Sequence, residues 1–238
     1  MMKNYTLLKR SMRFFLSVAV LSIFGSQAMA QSNTTSRGYI KDCIRERGEC
    51  HNVAITKTGG DAMINGRNGW CAKNCPTDFV SKLRELHDKD KPIKDIQITE
   101  NGSWVILWGD NGVSWHDIPQ KLEDKIRHYN DIGETINSIS LNDVGDWVIV
   151  TDNYYSASSQ SIMDFLREGE SNHGELWTVC LTDDALAAVY ENGYRWFGEV
   201  PEDCKDAARE VTFDVYRIKI AGTAWFMADK NGTYRYHM

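Results

Sequence analysis

The stretch IKDIQITENGSWVILWGDNGVSWHDIPQKL, residues 93–122, decides the fold of this chain. It opens with apolar residues at alternate positions, a period-2 pattern that predicts a strand with one core face. The continuous apolar run at 104–107 is typical of a second strand that is buried on both faces. The Asn111-Gly112 pair favours a type I′ turn, in which both central residues have φ > 0, and so a third antiparallel strand. Pro119 then predicts the first turn of a helix.

This pattern recurs along the chain. Asn-centred turns follow one another at steps of 43, 42, 39 and 39 residues, an interval typical of one supersecondary unit repeated five times. The turns are Asn68-Gly69, Asn111-Gly112, Asn153-Tyr154, Asn192-Gly193 and Asn231-Gly232. Each unit therefore reads as three strands followed by a helix, with helices predicted at about 77–87, 120–129, 160–167 and 202–211.

The fifth unit ends at its third strand, whereas residues 39–47 predict a helix before the first unit. A chain that begins with the element its last unit lacks is suited to closing on itself, which leaves few exposed strand edges. We therefore expect a mainly β protein with helices, in which five βββα repeats close into a five-bladed, propeller-like ring. The alternative is an open α+β solenoid.

The same pattern sets the domain boundaries. We expect a flexible segment at 31–38 and a single repeat domain at 39–238, with an N-terminal helix at 39–48. The units are expected at about 50–92, 93–135, 136–175, 176–214 and 215–238.

The repeat, I-x-x-I-x-x-T-x-x-G-x-W-V-x-L-x-x-x-N-G followed by I-P-x-x-L, resembles a group of secreted bacterial repeat sequences. The nearest copy is residues 93–122, and the resemblance extends over about 39–238. It implies a repeat fold and no particular activity. The third unit departs from the pattern, since it lacks the Gly after Asn153 and the Pro, and the fourth lacks the strand Trp. In architecture alone, the expected ring is similar to five-bladed lectin propellers.

Residues 1–30 have the composition of a secretory signal peptide. Four basic residues precede the apolar run FFLSVAVLSIF (14–24), and Ala28-Met29-Ala30 is a small-x-small site that predicts cleavage before Gln31. The run is too short to span a bilayer, which takes about 20 residues. We expect a secreted or periplasmic protein with no membrane span.

Without that segment the chain has 23 Lys and Arg against 33 Asp and Glu, a net charge of −10. An acidic protein repels phosphate backbones, which argues against nucleic acid as a partner.

All six cysteines lie beyond the predicted signal peptide, and export favours disulfides. The simplest expectation is near-neighbour pairing, although sequence alone allows fifteen connectivities: Cys43–Cys50, Cys71–Cys75 and Cys180–Cys204. A zinc site formed by the first four cysteines is the rival interpretation, but only one pair has the usual C-x(2–4)-C spacing, so we expect no metal.

No nucleophile elbow, P-loop, dinucleotide fingerprint or H-E-x-x-H pattern is present, and we expect no cofactor. Asp110, Asp152 and Glu191 share one repeat position before the turn Asn. They are the candidates for a polysaccharide hydrolase with two carboxylates at the ring mouth.

Aromatic residues are the better ligand-binding candidates. Trp104, Trp147 and Trp225 share one repeat position and are expected in the core. Other aromatics differ between copies, so the scaffold constrains them less: Trp70, Trp108, Trp115, Tyr194 and Trp196.

The function expected from these observations is an exported, non-catalytic binding or scaffold protein. Its partner would be another exported protein or a surface glycan. The alternatives are the hydrolase described above and an inhibitor or structural domain.

Overall fold

The computed structural model describes residues 35–238. Within them, five three-stranded antiparallel sheets are separated by helices, so the repeated βββα unit is confirmed. Helix α1 (Ser36–Arg47) precedes unit 1, and helices α2 (Thr77–Asp88), α3 (Gln120–Asp131), α4 (Gln160–His173) and α5 (Glu202–Glu210) follow units 1 to 4.

In each sheet the second strand lies between the first and the third. The strands of units 1 and 2 are β1 (Asn52–Ala54), β2 (Asp61–Asn65), β3 (Gly69–Lys73), β4 (Ile93–Ile98), β5 (Trp104–Trp108) and β6 (Gly112–His116). Those of units 3 and 4 are β7 (Ile136–Leu141), β8 (Trp147–Thr151), β9 (Tyr155–Ala157), β10 (Leu176–Leu181), β11 (Ala185–Tyr190) and β12 (Gly193–Gly198). Those of unit 5 are β13 (Arg217–Ala221), β14 (Ala224–Ala228) and β15 (Tyr234–His237).

The helix starts explain why one unit can dispense with proline. Pro76, Pro119 and Pro201 each occupy the N-cap position, directly before the first helical residue. Unit 3 has Ser159 there instead, and its hydroxyl accepts a hydrogen bond from the backbone N–H of Ile162. Helix α1 is capped in the same way by Thr35, so it begins at Ser36 rather than at 39, and residues 36–38 belong to the helix.

The prediction of type I′ turns at the hairpins is wrong. None of the asparagines at the hairpins has φ > 0, and in units 1, 2 and 4 the following glycine is the first residue of the third strand. The side chains of Asn68 and Asn111 instead bind the connection to the next unit. Asn111 donates to the backbone oxygen of Glu134 and accepts from the N–H of Ile136 at 3.0 Å. At these two hairpins the asparagine therefore joins neighbouring units.

The glycine after it is needed for space. Gly112 pairs with Trp108 across the hairpin, and a Cβ at position 112 would overlap the Trp108 ring. We expect Gly112→Ala to destabilise the protein by about 1–3 kcal/mol, the usual cost of overpacking. Denaturant unfolding measures this, and in a Trp108→Ala background the same substitution should be nearly neutral. Equal costs in both backgrounds would contradict this explanation of the glycine.

The core consists of five apolar clusters, each formed by two units and the helix between them. One cluster, for example, combines Ile64 of unit 1 with Phe79 and Leu83 of α2 and Ile96 and Ile106 of unit 2. Units 2 and 3, units 3 and 4, and units 4 and 5 meet in the same way around α3, α4 and α5. Trp104, Trp147 and Trp225 lie in these clusters and are at most 5 % exposed, as predicted.

The fifth cluster joins unit 5 to unit 1 around α1. Ile40 and Ile44 of α1 are fully buried with Val53 and Met63 of unit 1 and Phe226 of unit 5. At the same junction, the backbone N–H of Cys50 donates to the oxygen of Gly232, and the Lys41 ammonium donates to the oxygen of Met238. Helix α1 thus occupies between units 5 and 1 the place that the other helices occupy between their units. None of the helices described, α1 to α5, is long and apolar enough to cross a membrane.

Candidate functional site

The first strands carry two sets of mostly polar side chains at alternate positions, which places them on one side of the strand. Sequence patterning predicted a single core face, but these alternate positions are buried too, except that Gln97 is half-buried. The first set, at the start of the strands, is at most 4 % exposed and consists of Asn52, Asp95, Ser138, Thr178 and Arg217. The second set, two residues further on, consists of Ala54, Gln97, Ser140, Cys180 and Lys219.

In units 1 to 4 these side chains reach the next unit along the chain. The Asn52 amide donates to the Asp95 carboxylate, and the Gln97 amide donates to the backbone oxygen of Leu141. Ser140 accepts from the N–H of Leu181 at 2.8 Å. These bonds satisfy polar groups that would otherwise be costly to bury.

Unit 5 differs, because at these two positions it has long cationic side chains, which reach unit 2. Arg217 donates through Nη1 to the backbone oxygen of Lys94 at 3.1 Å and pairs with Asp95 Oδ1 at 2.9 Å. Lys219 Nζ lies 3.0 Å from Gln97 Oε1 and 3.4 Å from Asp95 Oδ1. We call Asp95, Arg217 and Lys219 the buried charge cluster. It holds two cations and one carboxylate, all nearly inaccessible to solvent.

A basic cavity of about 370 Å³ lies where the first strands begin. Its walls carry His51, Lys94, Asn137, Tyr216, Arg217, Asp229 and Lys230, beside Gly66 and Ile93. The Lys230 ammonium lies over the rings of Tyr216 and Trp177, 4.6 and 5.1 Å from their centroids. Burial raises the pKa of the Tyr216 hydroxyl, so it stays protonated and can donate a hydrogen bond.

At the other end of the first strands, three carboxylates share one repeat position and join neighbouring units. Asp143 accepts from the N–H of Asn101 at 2.7 Å, and Asp183 accepts from the N–H of Asp143 at 3.1 Å. Glu100 likewise accepts from the backbone N–H groups of Lys57 and Thr58. These carboxylates are occupied by backbone donors, and the cavity between them has only about 60 Å³, so the space that the three carboxylates enclose has little room for a ligand.

The aromatic ligand-binding candidates do not converge on one site. All five are half-buried and pack at the edges of three different clusters. Trp70 and Trp108 border the cluster of units 1 and 2, Trp115 that of units 2 and 3, and Tyr194 and Trp196 that of units 4 and 5. A binding role for them stays a prediction, but no shared pocket of the described residues contains them.

The hydrolase candidates also lie apart, in the hairpins of three units. Asp110, Asp152 and Glu191 are exposed. Asp152 accepts a hydrogen bond from the Asn137 amide at 2.8 Å. No cavity described for residues 35–238 brings two of them together. Residues 35–238 also contain no group of three His, Cys, Asp or Glu side chains suited to a metal ion.

The six cysteines are free thiols in this structure, so the near-neighbour disulfide pairing stays a prediction, but one contact was not expected. The Cys43 thiol of α1 donates a hydrogen bond to the sulfur of Cys71 on β3. This bond, together with Arg47, lowers the pKa of Cys71 to about 7, although burial opposes the shift. Burial raises the pKa of Cys75 to about 12, and Cys180 and Cys204 lie in one apolar cluster.

We expect the first disulfide formed with glutathione disulfide to join Cys43 and Cys71. The Cys71 thiolate attacks the reagent and releases one glutathione; Cys43 then loses its proton, attacks the mixed disulfide and releases the second. The rate should rise with pH through about 7, as the Cys71 thiolate forms. Peptide mapping by mass spectrometry identifies the link, and a Cys71–Cys75 product would contradict this expectation.

Sequence reasoning missed the cavity residues, although a signal was available. Two positions of each first strand vary between units, and the expectation of a single core face left them out of consideration. Arg217 and Lys219 are cations where the other units have neutral or acidic residues, and this difference is the feature that points to the cavity. Comparison of the chain with protein-family models gave no match, and a search of curated proteins gave no match either.

Proposed function

We propose that the five units close into a five-bladed, propeller-like ring with the first strands around its axis. The cluster formed by unit 5, α1 and unit 1 supports this, because it repeats the arrangement of the other four clusters. First strands of neighbouring units contact one another, β13 contacts β1, and Lys219 reaches unit 2. In an open solenoid the first and last units would have no reason to meet.

We further propose that the protein is an exported, non-catalytic binding module, with a surface glycan or another exported protein as its partner. The observation that carries this proposal is the basic cavity. It is built from side chains that differ between the units, and such residues are not required by the repeat itself. A pocket with a few converging polar groups is the default position of a binding site.

A glycan array probed with the purified protein, combined with a pull-down from a cell-envelope extract, tests the binding function. We expect at least one specific ligand, whose capture is weakened by substitutions in the basic cavity. Absence of any ligand in both experiments would count strongly against the proposal.

Export rests on residues 1–30, which lie outside the residues that the structure describes. Fractionation of expressing cells, followed by mass spectrometry of the N-terminus, tests it. A mature chain that begins at Gln31 in the periplasm or the medium is the expected result. An intact N-terminus in the cytoplasm would show that the segment is not a signal peptide.

A further inference from the structure

We infer that the basic cavity is a binding site for a carboxylate group, carried on a ligand of about monosaccharide size. The inference rests on the binding function proposed above and names the chemistry that this site recognises.

The first argument is a buried donor held in a fixed orientation. Arg217 is 4 % exposed, and its guanidinium is anchored through Nη1 by Asp95 and the backbone oxygen of Lys94. Its Nε has no hydrogen-bond partner among residues 35–238, although it is buried. An unsatisfied donor on a cation is costly, and Arg217 lines the cavity, so a bound oxygen acceptor there would remove the cost.

The second argument is charge. The walls of the cavity carry three cations, Lys94, Arg217 and Lys230, and one carboxylate, Asp229. That carboxylate is occupied, since Asp229 Oδ1 accepts from the N–H groups of Asn231 and Thr233 at 2.8 Å.

Behind the wall, the buried charge cluster adds one further cation, Lys219, and one carboxylate, Asp95, so cations still outnumber carboxylates. A concave surface with low-dielectric walls focuses such a field, so the cavity attracts anions although the chain as a whole is acidic.

The third argument limits the kind of anion. Exposed carboxylates of Asp110, Asp152 and Glu191 occupy the hairpins of units 2, 3 and 4, and Asp152 contacts the cavity residue Asn137. A long polyanion would lie against these carboxylates and be repelled, whereas a single carboxylate can enter between them. The volume, about 370 Å³, is at the small end of ligand pockets.

Isothermal titration of the purified protein with glucuronate, and with N-acetylglutamate as the peptide-like carboxylate, tests the inference. Glucose is the matched neutral sugar. We expect at least one carboxylate to bind and glucose not to bind. If only glucuronate binds, the ligand is an acidic sugar. If only N-acetylglutamate binds, the ligand is an acidic peptide side chain. If both bind, the site recognises the carboxylate group itself. Affinity should decline as salt is raised.

The variants Lys94→Gln and Lys230→Gln remove exposed cations from the wall without touching the buried charge cluster. Together they should weaken carboxylate binding by roughly tenfold or more, as expected when charge-assisted contacts are lost. Lys121→Gln, an equal change of charge on the exposed face of α3, should leave it unchanged. Circular dichroism verifies that all variants fold.

Three results would overturn the inference: no carboxylate binding at about 10 mM ligand, equal binding of glucose and glucuronate, or a double variant that binds like the parent. If a glycan or protein is captured from the envelope but carboxylates do not bind, the proposed function stands and the inference fails. If carboxylates bind at the cavity but the envelope contains no partner, the inference stands and the wider function fails.

Discussion

Replacing Asp95 by Asn is expected to destabilise the protein by about 3–5 kcal/mol, the usual cost of breaking a buried ion pair from one side. The substitution keeps the shape of the side chain but leaves the cations of Arg217 and Lys219 buried with no carboxylate. Urea unfolding followed by tryptophan fluorescence measures the change.

Two controls distinguish the loss of the charge from other effects. Asp110→Asn removes an exposed carboxylate and should change the free energy of unfolding by no more than about 0.5 kcal/mol. Asp95→Asn combined with Arg217→Met and Lys219→Met should recover most of the stability, because apolar replacements of a buried ionic cluster are often neutral or stabilising. An Asp95→Asn protein as stable as the parent would show that the buried charge cluster is not an energetic unit.

Ile40→Ala should cost about 2–5 kcal/mol, as much as the same truncation inside the repeat. Ile40 of α1 and Leu83 of α2 are equivalent in the repeat, and both are fully buried. In a closed ring each helix packs between two units, so Ile40→Ala and Leu83→Ala should be equally harmful. If α1 covered only unit 1, part of its surface would face solvent, and Ile40→Ala would cost clearly less.

Hydrogen exchange measured by mass spectrometry locates each effect. Ile40→Ala should lower the protection of unit 5, in β14, as well as that of unit 1. Leu83→Ala should lower the protection of units 1 and 2 and serves as the matched control. Unchanged protection in β14 on the Ile40→Ala substitution would contradict the closed ring.

The strands and helices were predictable because each follows from short-range rules. Apolar alternation, the continuous run at 104–107 and the prolines before three helices placed the elements within a few residues. Helix α4 extends to His173, six residues beyond the expected end, and runs through Gly169, where the missing side chain leaves room for the Tyr190 ring. The turn type was wrong, since the Asn-Gly preference assumes an isolated hairpin. Here the asparagine binds the neighbouring connection and the glycine makes room for the side chain opposite.

The candidate site was less predictable, because it depends on residues far apart in sequence. Arg217 meets Lys94 across 123 positions, and no local pattern encodes that contact. Aromatic residues that vary between copies were reasonable candidates, yet Trp115 and Trp196 each pack at the edge of a different apolar cluster. The informative variation was in charge, in the first strands, where unit 5 has buried cations and units 1 to 4 have neutral or acidic side chains.

The junction around α1 has a consequence for how the chain folds during synthesis. Lys41 and Met238 are 197 positions apart, and Phe226 lies in the same cluster as Ile40. Units 1 to 4 can each pack on their neighbour as soon as it has been made, whereas α1 must wait for β14 and β15. Loop closure over such a separation is slow. Until the junction closes, the apolar side of α1 and unit 1 is exposed. In this state the chain can be bound by a chaperone or can associate into a misfolded dimer.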